Sequence, residues 1–215
     1  MERNHFETRY DKLGPRVVKE LKNRQFDAYY VQTKAEALAK ALELIPEGHV
    51  VSWGGSVTAA QIGLLDAVKT SPKYQVIDRD TAKTMEERWE LMRQALLCDT
   101  FLGSANAITE DGQLFNLDGN GNRVAAFAFG PKSVVVIAGM NKVVPSEEAA
   151  YERIRKYAST VNVQRLNVTG AGCFNTGSCI DCKSPGTICG YIQQIRVCKP
   201  SNKIKVILVG ESLGF

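Results

Sequence analysis

The amino-acid sequence predicts an α/β fold, with a mostly parallel central sheet flanked by helices in a Rossmann-like arrangement. Segments with helical spacing of apolar residues alternate along the chain with short apolar runs. The run 133–138 has no polar alternation, which is typical of a strand buried on both faces. The 215 residues are 44% hydrophobic and 23% charged, a composition that excludes disordered, collagen-like and coiled-coil proteins.

Helices are predicted from apolar spacing and from N-cap residues. The first 25 residues are predicted to be helical, with Pro15 beginning a second helix. Thr33 and Glu36 predict a capping box for a helix that ends at Leu44. Further helices are predicted over residues 58–68, 84–98 and 146–158. The apolar face of helix 84–98 is predicted to hold Met85, Trp89, Met92, Leu96 and Leu97.

Strands are predicted where short apolar runs are bounded by turn residues. These runs are residues 27–31, 49–53, 74–77, 100–103, 107–109, 113–116, 133–138 and 203–209. The turn 110–112 predicts a hairpin between two of them, 107–109 and 113–116. The whole chain, 1–215, is predicted to be one domain, with a cysteine-rich excursion at 167–200 before the last strand.

Charge and hydropathy argue against membrane and nucleic-acid partners. No apolar run approaches the ~20 residues that a membrane span needs. The N-terminal residues 1–12 lack the apolar core of a secretory signal, so a cytoplasmic protein is expected. The net charge is +4, and residues 160–209 alone carry six basic side chains and one acidic one. That density is too low for a nucleic-acid surface, although it suits an anionic ligand.

A glycine turn follows the predicted strand 49–53. Its candidate ligand-binding residues are Gly54, Gly55, Ser56 and Thr58. Glycines let a backbone approach a ligand closely, and a following helix N-terminus presents free N–H groups to an anion. The alternative is a tight turn in which Ser56 is only the N-cap.

A second group of polar residues follows the strand 100–103. Glu110 is a candidate catalytic base or nucleophile, whereas Asn106, Asn122 and Arg123 are candidate donors to an anionic ligand. Lys142, which follows the strand 133–138, is a candidate ligand-binding cation. The alternatives are that the Asn and Gly residues only build turns and that Lys142 is solvated.

Five of the six cysteines lie within 26 residues of one another. Cys173, Cys179, Cys182 and Cys189 are candidate ligands of a metal centre, because four thiolates complete a tetrahedral site or hold a cluster. An iron–sulfur cluster is favoured over Zn because only one Cys-x-x-Cys pair is present. A redox disulfide and inert thiols are the alternatives. Cys98 is predicted to lie in the core, and Cys198 has no assigned role.

Taken together, these motifs resemble the lactate-utilisation (LUD) domain family, in its stand-alone cysteine-containing branch. The segments that carry the resemblance are 52–58, 103–114, 116–123, 129–131, 139–142, 176–185, 188–189 and 206–215. The resemblance implies a fold similar to ribose phosphate isomerase, glucosamine phosphate deaminase and the CoA transferases, with ligands bound at the strand ends. It also implies iron–sulfur partner proteins, because some members of the family are linked to lactate oxidation through such partners.

Three functional hypotheses follow. The first is a protein that binds a small anionic metabolite, carries a Cys-ligated iron–sulfur or metal centre and supports oxidation of lactate or a related organic acid. The second is an enzyme similar to CoA transferases or sugar-phosphate isomerases that uses Glu110. The third is a non-catalytic subunit that senses a metabolite. A homo-oligomer is a further expectation.

Overall fold

The computed structural model of the protein describes residues 3–215, so Met1 and Glu2 of the predicted N-terminal helix lie outside the described residues. Helices and strands alternate along most of this range. The helices are α1 (His5–Asn23), α2 (Lys34–Glu43), α3 (Val57–Gln61), α4 (Leu64–Thr70), α5 (Met85–Gln94), α6 (Asn122–Ala128), α7 (Glu147–Arg153), α8 (Ser159–Leu166) and α9 (Gly172–Thr176). The strands are β1 (Asp27–Val31), β2 (Val50–Trp53), β3 (Gln75–Ile77), β4 (Thr100–Gly103), β5 (Ala107–Thr109), β6 (Leu114–Asp118), β7 (Ser133–Gly139), β8 (Val143–Val144), β9 (Tyr191–Ile195) and β10 (Ile204–Val209).

The central sheet has six strands in the order β1-β10-β7-β4-β2-β3, and all of its pairs are parallel. Successive residues of β7 pack into two different hydrophobic clusters, with Val134 and Val136 in one and Val135 and Ile137 in the other. Both faces of the strand are therefore buried, as its unbroken apolar run predicts. Each such side chain contributes about 1.5–3 kcal/mol by leaving water. The predicted α/β class with a mostly parallel sheet is confirmed.

A smaller, four-stranded sheet has the order β8-β5-β6-β9. The predicted hairpin is present as the antiparallel pair β5–β6. The strand β9 lies inside the predicted cysteine-rich excursion and pairs antiparallel with β6, where Leu117 faces Ile192. The excursion was predicted without a strand of its own, and that prediction was wrong for β9. Its second half is therefore anchored to the main fold by a backbone hydrogen-bond ladder.

The prediction of a helix break at Pro15 was wrong, because α1 runs through this residue without interruption. One face of α1 is buried on both sides of the proline, with Tyr10 and Leu13 before it and Val17 and Leu21 after it. This continuous packing offsets the cost of an interior proline, which is about 3 kcal/mol.

The predicted helix 58–68 is two helices, because Gly63 adopts φ +76° between α3 and α4. The predicted apolar face of helix 84–98 was also wrong in part: Met85, Trp89 and Leu97 are 61%, 39% and 86% exposed. The α-helix ends at Gln94 and continues as a 3-10 turn, Ala95–Leu97. This turn changes the angular spacing of the side chains after Gln94 and so accounts for the exposure of Leu97.

The two cysteines outside the predicted metal site, Cys98 and Cys198, are both buried. Cys98 is 1% exposed within the core, and burial raises the pKa of its thiol to about 12. Cys198, which had no predicted role, is also buried, and its sulfur accepts the backbone N–H of Ile204 at 3.3 Å.

Between residues 3 and 215, every helix falls short of the length and apolar character that a membrane crossing requires.

Candidate functional site

A polar cavity of about 230 Å³ lies at the carboxyl ends of the central strands, and we call it the strand-end cavity. Residues within the six positions that follow β2, β3, β4, β7 and β10 contribute to its wall. From β2 the chain runs outward to β3 and then returns to β4, on the other side of β2. The cavity therefore lies where the strand order reverses, which is the usual ligand site of an open parallel sheet.

The structure brings together nearly all of the predicted ligand-binding residues at this cavity. Those that line it are Gly55, Ser56, Thr58, Asn106, Asn122, Arg123 and Lys142. Gly54 lies behind the wall, where a Cβ atom would come within 3.3 Å of the Arg123 Cδ atom. Its lack of a side chain therefore makes room for Arg123.

The glycine turn differs from the expected anion-binding loop, because α3 has only five residues and so a weak dipole. The Ser56 hydroxyl accepts the backbone N–H of Ala59 at 3.1 Å, so Ser56 is the N-cap that the alternative interpretation describes. The Thr58 hydroxyl faces inward and accepts a hydrogen bond from Lys142. Charge recognition at this cavity must therefore come mainly from side chains.

Lys142 is buried in the wall, with 3% of its surface exposed. Its Nζ atom donates to the hydroxyls of Thr58 and Ser104, each at 2.9 Å. Among residues 3–215, no carboxylate side chain lies within ion-pair distance of this amine. Burial, reinforced by the charges of Arg153 and Arg123, lowers the pKa of Lys142 to about 7. The amine is therefore substantially neutral near physiological pH.

Arg123 organises the wall between the two sheets. Its Nη1 atom donates to the Ser104 carbonyl oxygen at 3.1 Å, and its Nη2 atom donates to Asn106 Oδ1 at 2.8 Å and to the Leu117 carbonyl at 2.6 Å. Asn106 Oδ1 also accepts the backbone N–H of Leu117 at 3.0 Å. These two predicted ligand-binding residues are thus held by the protein itself, and Arg123 adds positive potential to a preformed wall.

Two arginines at this cavity were not predicted from the sequence. A Cβ atom on Gly55 would lie 3.1 Å from Arg79 Nη2 and 4.0 Å from Arg165 Nη2, so both guanidiniums converge at the glycine turn. Within the described part of the chain, the buried Nε of Arg79 has no hydrogen-bond partner, and the Asp80 carboxylate is 4.0 Å away. A usable signal existed for Arg79, because it lies two residues after the predicted strand 74–77. For Arg165, at the end of α8, the signal was only its place in the basic segment 160–209.

The cavity wall is strongly cationic. Its permanently charged basic side chains are Arg79, Arg123 and Arg165, beside the titrating amine of Lys142, and its acidic side chain is Asp118. Asp118 Oδ2 already accepts the backbone N–H groups of Arg123 at 2.8 Å and of Val124 at 3.2 Å, at the start of α6. The carboxylate is thus occupied as a helix cap, and the guanidiniums give the cavity a potential that favours an anion.

Glu110 lies away from the strand-end cavity, although it was predicted as a catalytic base or nucleophile in the same polar group as Asn106, Asn122 and Arg123. It lines a different depression together with Leu13, Arg16, Lys19 and Glu20 of α1. Its nearest cation is Arg9, at 3.9 Å. The structure therefore does not combine Glu110 with the predicted anion-binding residues.

A second cavity, of about 260 Å³, is lined by all four candidate metal ligands, and we call it the cysteine cavity. Cys173 lies on α9, whereas Cys179, Cys182 and Cys189 lie in the loop between α9 and β9. The backbone N–H of Gly172 and nearby hydroxyls lower the pKa of the Cys182 thiol. Burial raises the pKa of the Cys173 and Cys189 thiols, and each of these is raised further by charge on neighbouring cysteines.

The loop that carries these cysteines is folded back by close backbone contact. A Cβ atom on Gly186 would lie 2.6 Å from the Gly170 carbonyl carbon, so only glycine permits this approach. Arg155 donates to the Asp181 carboxylate and lies 3.9 Å from the Cys179 sulfur. A cation is therefore placed beside the Cys-x-x-Cys pair, where it offsets negative charge on thiolates.

The cysteine cavity has the ligand type and the number of ligands that a thiolate-bound metal or cluster needs. Four thiols around one cavity match the ligand set of a tetrahedral metal or an iron–sulfur cluster. Across residues 3–215, however, no three Cys, His, Asp or Glu side chains are grouped closely enough to hold a metal ion. Binding would therefore require these thiols to converge further.

The two cavities are neighbours. Leu117, Ser159 and Thr187 line both of them. The helix predicted to end at residue 158 instead continues through a π-helical turn, Ile154–Ala158, into α8, and Ser159 follows this turn directly. Such π-helical turns are frequent at functional sites. The continuation contains Val161, Val163 and Leu166, of which only Val163 is fully buried.

Comparisons with known proteins agree with this architecture. The family model described as the LUD domain matches residues 14–209. A DUF162 family protein from Deinococcus radiodurans superimposes with a TM-score of 0.52 at 13% identity, over 93% of this chain and 97% of that one. Ribose 5 phosphate isomerase A from Neisseria gonorrhoeae gives a TM-score of 0.36 at 17% identity, over 65% of each chain. The delta subunit of eIF2B from Chaetomium thermophilum gives a TM-score of 0.33 at 16% sequence identity, over 66% of this chain and 57% of that one. No curated protein sequence matches this chain.

Proposed function

This chain belongs to the LUD domain family, and on that premise we propose that it binds a small organic anion in the strand-end cavity beside a Cys-ligated iron–sulfur or metal centre. In this role it would support the oxidation of lactate or a related organic acid. The family membership supports the lactate-utilisation context, and the two cavities support the chemistry.

The observation that carries the proposal is the shared wall between the cavities. Leu117, Ser159 and Thr187 separate a cationic cavity from one lined by four thiols. An organic acid bound in the first would lie next to whatever the thiols hold in the second. An iron–sulfur cluster supplies one-electron transfer, and Zn, the alternative, would supply only structure or Lewis acidity.

The residues of the strand-end cavity would bind and orient the acid. Arg79 has the free donor capacity, since its buried Nε has no partner among residues 3–215. Arg165, exposed at the mouth, adds a second guanidinium on the same side of the glycine turn. Planar guanidiniums match the geometry of a carboxylate better than an ammonium does. Arg123 would fix the wall and contribute its charge at short range.

The experiment that tests this function has two readouts on the same preparation. Protein purified without oxygen is expected to contain a bound metal. Iron would give broad visible absorbance, whereas zinc would give no visible absorbance. Calorimetric titration with lactate and other small organic acids is expected to show binding that weakens as salt is added. A metal-free protein contradicts the first part of the proposal, and failure of every acid to bind contradicts the second.

A transferase or isomerase reaction at Glu110 receives no support from the geometry, because this carboxylate lines a different depression. The dependence on iron–sulfur partner proteins stays a prediction. It is tested by reconstituting acid oxidation with and without such proteins.

A further inference from the structure

The strand-end cavity contains a primary amine that anion binding does not use. Lys142 is 3% exposed and lines the cavity. Its Nζ atom contacts two hydroxyl oxygens and, across the described residues, no carboxylate side chain. Burial and nearby arginines lower its pKa to about 7. A desolvated lysine beside other cations is the environment in which this side chain becomes a nucleophile.

The charges around this amine indicate which electrophile would reach it. Ser104 connects two functional groups: its hydroxyl accepts from Lys142 at 2.9 Å, and its carbonyl accepts from Arg123 at 3.1 Å. Because Arg123 is already held by three protein oxygens, it attracts a carboxylate through its charge, while Lys142 is the group that meets a carbonyl. A fitting ligand therefore carries a carboxylate close to a reactive carbonyl. In a 2-oxo acid, these two groups lie on adjacent carbon atoms.

We propose that Lys142 forms a covalent imine with a small 2-oxo acid bound in the strand-end cavity. This inference rests on the proposed binding of an organic anion there and names its chemical class. It assigns Lys142 a nucleophilic role in place of that of a ligand-binding cation.

The step is balanced without an oxidant or a reductant. The Nζ lone pair forms a bond to the carbonyl carbon, and the carbonyl π electrons move to oxygen, which takes up a proton. The carbinolamine then loses that oxygen as water while the C=N bond forms. The hydroxyls of Thr58 and Ser104 lie 2.9 Å from Nζ and are placed to carry the proton from nitrogen to oxygen.

The chain provides a matched comparison in Lys203. It is also buried, with 8% exposure, and burial also lowers its pKa. Its Nζ atom donates to the backbone carbonyls of Phe127 and Ala128, at 3.5 and 3.3 Å. These oxygens cannot relay a proton, and Lys203 does not line the strand-end cavity. Burial alone therefore predicts reaction at both lysines, whereas the proposal predicts reaction at Lys142 only.

The test is reductive trapping of the full-length protein. The protein is incubated with pyruvate or glyoxylate, reduced with borohydride and mapped by peptide mass spectrometry. The expected adduct is on the peptide that contains Lys142, in large excess over every other lysine. It is lost in Lys142→Arg and retained at the wild-type level in Lys203→Arg. Lactate, which has a hydroxyl in place of the 2-oxo group, is expected to bind without giving an adduct.

The outcomes separate this inference from the proposed function. If pyruvate binds but no adduct forms on Lys142, the imine is wrong and anion binding stands. If no organic acid binds, both are wrong. Equal labelling of Lys142 and surface lysines also overturns the inference. Should Lys142→Arg fail to fold, the peptide map of the wild-type protein decides alone.

Discussion

The strand-end cavity and the cysteine cavity share a wall, yet they are built in opposite ways. In the first, the functional groups are already held: Lys142 by two hydroxyls, Arg123 by three oxygen acceptors and Asn106 by two donors. In the second, one buried thiol lies on the short helix α9 and three half-buried thiols lie on loop backbone, and no three ligands are grouped for a metal within residues 3–215.

This difference shows where each site obtains its stability. The strand-end cavity is fixed by the parallel sheet, whose strands place their carboxyl ends together whatever is bound. The cysteine cavity depends on a loop held by glycine contacts and by the Arg155–Asp181 ion pair. Ligand removal should therefore affect the second region far more than the first.

The largest expected effect tests that contrast directly. In Cys179→Ser combined with Cys182→Ser, the metal content of anaerobically purified protein is expected to fall to background. The loss of metal-linked stability should be about 3–5 kcal/mol, because binding energy at a loop site is folding energy. Elemental analysis and urea denaturation measure both.

The matched control is Cys98→Ala, which removes a buried thiol far from the loop. It is expected to cost about 1 kcal/mol and to keep the full metal content. Equal metal loss in the control, or unchanged metal in the double variant, would remove the cysteine cavity as the metal site.

The second effect concerns the cost of burying Lys142. Folding lowers the pKa of Lys142 from 10.5 to about 7. Between these two pH values the lysine is protonated in the unfolded state but mostly deprotonated in the folded state. The free energy of unfolding therefore rises with pH across this window. Below pH 7 the folded state carries the full cost of a buried charge. Lys142→Met is therefore expected to stabilise the protein by about 1–3 kcal/mol at pH 6 and by much less at pH 10. Urea denaturation at several pH values gives the two curves, and a gain independent of pH would contradict the assignment.

The third effect sharpens the role of the arginine that sequence reasoning missed. Arg79→Gln is expected to weaken binding of an organic anion about 10- to 100-fold, because a charged hydrogen bond of about 1.5–3 kcal/mol is lost. Stability should change little, since the Nε of this side chain lacks a partner among the described residues and its Nη1 donates only to the weak acceptor Met92 Sδ, at 3.5 Å. Arg93→Gln, on the exposed side of α5, is the control and should leave affinity unchanged. Equal losses in both variants would mean that only overall charge matters.

The smallest effect concerns the glycine turn. A Cβ atom in Gly55→Ala would lie 3.1 Å from Arg79 Nη2, so this flexible guanidinium must shift by a few tenths of an ångström. We expect a loss of anion affinity of about two- to fivefold with little change in stability. In Gly48→Ala the space is open but φ is +82°, so stability should fall by about 1 kcal/mol without any change in affinity. Calorimetry and thermal unfolding of both variants distinguish the two cases.

The sequence by itself determined the fold class and the position of the strand-end cavity. Strands such as β7 are continuous apolar runs, and residues that directly follow them, such as Lys142, must meet at one edge of a parallel sheet. The four cysteines also share one cavity, as their clustering in the sequence suggested.

Only the tertiary structure decided which polar residues meet. Glu110 sits in a hairpin turn, and the register of a four-stranded sheet sends it toward α1 and away from the cavity. Arg165 reaches the cavity because a π-helical turn carries α7 onward into α8. Local patterns encode the period of an element, whereas packing of one element on another sets where its side chains point. For this reason the chemistry of Lys142, a buried amine whose pKa is lowered beside arginines, became visible only once its neighbours were known.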